Sequence, residues 1–129
     1  MIQLLRSLVL LLLFTGNVLA AEEAFTQAAF DRLQQQGSPI LVWIHADWCP
    51  TCRAQAPILK KLLDQQEFKP IQALRVDFDQ QQDIVKAFKA IKQSTLIIFK
   101  GGKEVDRSLG VTNVQAIEAF KRATIFRES

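Results

Sequence analysis

The sequence predicts an α/β domain: a mixed four-stranded sheet flanked by helices, in the order α-β-α-β-α-β-β-α. Three observations carry this. Apolar residues at helical spacing alternate with short, continuous runs of β-branched and aromatic residues. The early strands are separated by whole helical segments, so each strand–helix–strand unit needs a parallel pair. The last two strands are separated only by Gly101-Gly102, a hairpin turn that adds an antiparallel edge.

The elements follow in order. From Phe25 to Gln36 the apolar residues Phe25, Ala29 and Leu33 fall at i, i+4 and i+8, one face of a helix that Gly37-Ser38-Pro39 stops. The run ILVWI, Ile40 to Ile44, suits a buried central strand. A helix follows with Ile58, Leu59, Leu62 and Leu63 inward; Pro57 lies inside it and should kink it. IQALRVDF, Ile71 to Phe78, alternates as a second strand, with Ile71, Ala73 and Arg75 on one face and Leu74 and Val76 on the other. Ile84, Phe88 and Ile91 mark a third helix, TLIIF (Thr95 to Phe99) a third strand, and Glu104 to Leu109 a fourth. Val114, Ile117 and Phe120 give a closing helix.

Residues 1–20 are read apart from this domain. One positive charge at Arg6, an apolar run from Leu8 to Phe14 and a Val18-Leu19-Ala20 end have the layout of a secretory signal peptide. The apolar run is short of the roughly 20 residues that span a bilayer. The expected organisation is a signal peptide over 1–20 and one domain over 21–129, exported to a periplasm; secretion elsewhere or a retained anchor is the lesser expectation. The formal charge of +3 becomes +2 without Arg6. Basic pairs such as Lys60-Lys61 sit on predicted helices, as solvated faces rather than a nucleic-acid surface. No nucleic-acid partner is expected, and the domain is read as a monomer.

The two cysteines, Cys49 and Cys52, lie in HADWCPTCRAQAP, between the central strand and the helix after it. A bridge between them closes so small a loop that it constrains the unfolded chain very little, which argues against a staple. Zinc usually takes four ligands, and Cys49, Cys52 and the single His45 supply three; a soft metal such as Cu(I) needs fewer. A redox pair fits the position best. A sulfur at a helix N-terminus meets unpaired N–H groups and the positive end of the dipole, which favour a thiolate. A second thiol one turn later can reach back and resolve a mixed disulfide.

These residues resemble the thioredoxin family. WCPTC is similar to its active-site motif, PILVWIHAD to its central strand, Pro57 to its helix-kinking proline, and TLIIFKGGKEV with Gly110 to its last hairpin. The resemblance covers essentially all of residues 22–127. It implies a thioredoxin-like fold and a thiol–disulfide oxidoreductase with Cys49 as exposed nucleophile and Cys52 as buried resolving thiol. It implies Trp48, Ser94 and Thr95 at the substrate surface, and Pro50 and Thr51 as modulators of Cys49. No cofactor is implied. The partners are cysteine-containing exported proteins and a recycling redox partner, for which a membrane-bound protein is one candidate. His45 is either a modulator that stabilises a thiolate or donates a proton, or simply the end of a strand. The alternative function is metal binding or delivery through Cys49, Cys52 and His45.

Three positions depart from the family pattern. Trp43 stands where the family carries a buried aspartate, and Ala73 where it carries a neighbouring lysine. Either charge alone in an apolar interior would be costly, so the two losses agree with each other. No buried proton relay is expected behind Cys52; water or His45 would take that part. Ser94 replaces a cis-proline. A non-proline cis bond costs about 2.5–4 kcal/mol, so Gln93–Ser94 is expected to be trans, with the Ser94 hydroxyl on the Cys49 thiolate.

Overall fold

A computed structural model describes residues 22–115, 117 and 118 of the chain. The expected leader, residues 1–20, and Phe120 of the closing helix lie outside the described residues.

The sheet has five strands rather than four. They are β1 (Glu23–Ala24), β2 (Ile40–His45), β3 (Gln72–Asp77), β4 (Thr95–Lys100) and β5 (Lys103–Leu109), in the spatial order β1-β3-β2-β4-β5. The added strand, β1, is two residues long and pairs parallel to β3 at the sheet edge. Both its residues are exposed, so no apolar alternation marks it in the sequence. As expected, β2 and β3 are parallel and the hairpin pair β4 and β5 is antiparallel. Contrary to the parallel expectation for every strand–helix–strand unit, β4 also runs antiparallel to β2, because the segment through the short helix Gln82–Ala87 brings the chain back into the sheet from the opposite end.

Helix α1 (Gln27–Gln35) begins at Thr26, whose hydroxyl accepts the Ala29 N–H at 3.0 Å. It ends where Gly37 takes φ +68, with Gly37 N–H on the Gln34 carbonyl and Ser38 N–H on the Leu33 carbonyl. This paired closure needs a left-handed residue just past the helix, and glycine supplies it without strain. Helix α2 (Pro50–Leu63) contains Pro57, and a short 3₁₀ turn, Gln66–Phe68, leads into β3.

Helix α3 (Gln82–Ala87) is shorter than the apolar spacing predicts. Arg107 of β5 takes the Phe88 and Lys89 carbonyls at 2.8 and 3.2 Å, Lys89 turns to φ +52, and Ile91 beyond it is 86% exposed. The hairpin turn matches expectation, with Gly101 and Gly102 at φ +60 and +76. Past β5 the chain is helical at 114–115 and 117–118, with Ile117 N–H on the Asn113 carbonyl.

Alternation along β2 and β3 divides the interior in two. Leu41, Trp43, Ile71 and Ala73 face α2, packing with Leu59, Leu62, Leu63 and both cysteines. Ile40, Val42, Ile44, Leu74 and Val76 face α1 and α3, packing with Phe25, Phe30, Leu33 and Val85. Both faces of the central strands are covered, which is why ILVWI is continuously apolar.

Candidate active site

The chain leaves β2 at His45, turns through Ala46–Trp48, and enters α2 at Pro50. Cys49 is the cap of α2, in an extended conformation, and its Sγ accepts the Cys52 N–H at 3.1 Å. Pro50 follows at the first helical position, where its missing N–H costs nothing and its fixed φ suits the helix. Thr51 is half-buried beside it. The structure thus places the first sulfur on the Cys52 N–H at the helix start, as its position in the sequence predicts.

One expectation is corrected. Cys49 is not exposed: the residue is 1% accessible, and Cys52 is 0%. The cause is the cap itself, because an Sγ that turns inward to meet the Cys52 N–H is drawn under the helix end. Both thiols are free. The Cys52 Sγ lies 3.9 Å from the Ile44 carbonyl, to which it donates. Burial pushes the Cys52 thiol up to about 11, and its hydrogen bond to Cys49 adds to this; backbone contacts with Ala46 and Ser94 oppose the rise. The two cysteines are therefore unequal, one an acceptor at the cap and the other a donor that keeps its proton.

Around the pair, Trp48 is 55% exposed, with its Nε1–H on Asp79 Oδ2 at 2.7 Å and its ring edge-on to Phe78. Asp47 is exposed. His45 stacks edge-on to Trp43 with centroids 4.5 Å apart, and its Nδ1 lies 3.6 Å from Asp47 Oδ1. Burial lowers the His45 pKa, Arg75 lowers it further, and Asp47 and Asp77 resist.

Ser94 is buried, and no cis peptide bond occurs among the described residues, so the Gln93–Ser94 bond is trans as expected. Its φ is +64, a conformation that costs a serine about 1–3 kcal/mol and persists only where neighbours hold it. They do: its N–H donates to the Ile44 carbonyl at 2.7 Å, and its carbonyl accepts the Gly110 N–H at 3.0 Å. The Ser94 backbone opposes the rise in the Cys52 pKa, and its N–H shares the Ile44 carbonyl with the Cys52 thiol. Thr95 starts β4, buried, with its hydroxyl donating to the Lys92 carbonyl at 2.7 Å.

The sequence reading missed Gln55. This residue is 0% exposed, on the inward face of α2 one turn after Cys52. Its Oε1 accepts the Trp43 indole N–H at 2.9 Å, and its Nε2 donates to the Ser94 and Val111 carbonyls at 3.1 and 3.0 Å. Two signals could have found it. Gln55 interrupts the apolar stripe Cys52, Leu59, Leu62, and a buried tryptophan N–H needs an acceptor.

The metal alternative gains nothing from this geometry. Among the described residues, no group of three or more His, Cys, Asp or Glu side chains could hold a metal ion.

A family model for thioredoxin matches residues 21–123. Over 95 residues the chain is 30% identical to the mitochondrial thioredoxin of Mus musculus, a match covering 74% of this chain and 57% of that protein. It thus spans a little over half the length of that relative and of those from Rattus norvegicus and Bos taurus. It is also 30% identical over 99 residues to the thioredoxin of Alicyclobacillus acidocaldarius subsp. acidocaldarius, covering 77% of this chain and 93% of the other. Among solved structures, Trxlp from Edwardsiella tarda has a TM-score of 0.76 at 38% identity, covering 78% of this chain and 97% of that one. A kinked helix capped by one cysteine of a close pair, a mixed sheet behind it and these matches lead to one conclusion: the chain belongs to the thioredoxin family.

Proposed function

We propose that the chain is an exported thiol–disulfide oxidoreductase, acting in a periplasm on cysteines of other exported proteins. The observation that carries this is the unequal pair, with Cys49 Sγ on the helix-start N–H and Cys52 protonated beneath it. Exchange needs such a division between an attacking and a resolving sulfur.

Cys49, as thiolate, attacks one sulfur of a substrate disulfide. That S–S bond breaks, and the other substrate sulfur leaves as a thiolate and takes a proton from solvent. Cys52 then gives up its proton and attacks Cys49 Sγ. The Cys49–substrate bond breaks, its electron pair goes to the second substrate sulfur, and the Cys49–Cys52 disulfide remains. The substrate gains two electrons and the pair loses two; the reverse sequence oxidises a substrate dithiol. Trp48 offers the incoming polypeptide an apolar surface beside the site. A recycling partner restores the pair.

Export is supported by the apolar run from Leu8 to Phe14 and the Val18-Leu19-Ala20 end. Expression of Cys52→Ala in the native host tests the activity, since it should leave mixed disulfides through Cys49 that a reductant releases. The intact mass of the wild-type protein should correspond to a chain without residues 1–20. Absence of any trapped species would overturn the enzyme reading, and an uncleaved mass would overturn the leader.

A further inference from the structure

We propose that Gln55 is a positioning residue of the exchange: by binding Trp43, Ser94 and Val111 together it holds the Ser94 N–H on the Ile44 carbonyl that the Cys52 thiol also meets, and so sets the rate of the resolving step. This rests on the thiol–disulfide reading above.

The geometry is one of full use. The side-chain amide has two N–H donors, and both are spent on carbonyls of loops that flank the pair, those of Ser94 and Val111. Its oxygen is spent on Trp43, on the central strand. One side chain therefore joins helix α2, strand β2 and both loops at a point one helical turn from Cys52. Ser94 needs such a hold, because its left-handed φ of +64 is strained for a serine. With the loop held, the Ser94 N–H stays on the Ile44 carbonyl, the same oxygen that receives the Cys52 thiol proton. The Ser94 backbone also favours the charged form of Cys52. The other groups acting on Cys52 are the Cys49 side chain and the Ala46 backbone, with no carboxylate or ammonium among them. The interior behind the pair holds Trp43 and Gln55, and the loop is held by a neutral amide.

Releasing the loop should act first on Cys52. Gln55→Met keeps the length of the side chain and removes all three hydrogen bonds; Trp43→Phe leaves the two on the loops in place and removes the one on Oε1, together with part of a buried ring. In Gln55→Met the Cys52 titration, followed by thiolate absorbance or by NMR of the sulfur-bearing carbon, should move up by about one unit. That cuts the thiolate about tenfold; higher nucleophilicity returns about threefold, so resolution slows about threefold. Attack by Cys49 on a small aromatic disulfide, read in the same stopped-flow experiment, should change by less than about twofold, since Cys49 keeps the Cys52 N–H. Trp43→Phe should shift the Cys52 titration the same way by a smaller amount. An unmoved Cys52 titration in folded Gln55→Met overturns the proposal. If Gln55→Met fails to fold, an unmoved titration in Trp43→Phe overturns it. Wild-type protein that exchanges no disulfide at all would instead defeat the enzyme reading, and the titrations would still decide whether Gln55 acts on Cys52.

Discussion

Cys52 holds its proton because burial and Cys49 both disfavour a second negative charge beneath the helix end. An unfolded thiol ionises near 9.0, whereas Cys52 in the fold does so at about 11. Between these values the folded state binds the extra proton, so stability is fully present below pH 9 and falls as pH rises through 11. The shift of about two units amounts to about 2–3 kcal/mol. Urea denaturation of the reduced protein at pH 8 and pH 11 should show this loss relative to Cys52→Ala, and an equal loss in both would refute it. His45 has the opposite sign. Its folded pKa lies below 6.5, so its contribution is present above pH 6.5 and is lost as pH falls below that value. At this scale the sequence was legible where geometry is tied to spacing, as in the place of Cys49 at a helix start with Cys52 one turn on. It was not legible at Gln55, because an uncharged amide in a helix carries no mark of what lies opposite it. The burial of Cys49 escaped for a similar reason: it depends on which way one sulfur turns.

Elements were readable in proportion to their length and apolar content. The central strands and α2 were legible as runs or stripes, whereas β1, with two exposed residues, has no pattern to read. The end of α3 was hidden as well, since it is decided by Arg107 reaching across from β5. Local chemistry governs two further positions. Thr26→Ala removes the hydroxyl that caps α1 and should cost about 1 kcal/mol, measured as a lower denaturation midpoint with unchanged slope. Gly101→Ala places a Cβ in open space, so its whole cost comes from φ +60. That cost should be about 1 kcal/mol, with no change in the Cys49–Cys52 potential. A larger loss would mean that the turn does more than reverse the chain.

Across the whole molecule the two faces of the sheet hold different materials. The face opposite the cysteines holds Phe25, Phe30, Phe88 and Phe99, with ring centroids 5.1–5.8 Å apart and several pairs edge-to-face. The other face holds both sulfurs, Trp43 and the Gln55 amide. Phe30→Ala should cost about 3–5 kcal/mol by cavity formation, while disulfide exchange per folded molecule stays within about twofold of wild type. Loss of exchange in excess of the unfolded fraction would show that the two faces are coupled.

This division bears on how such a chain can change over generations. A phenylalanine cluster that secures the fold from one side leaves the other side free to drift. Trp43 and Ala73, two of the positions that depart from the family pattern, both lie on that other side.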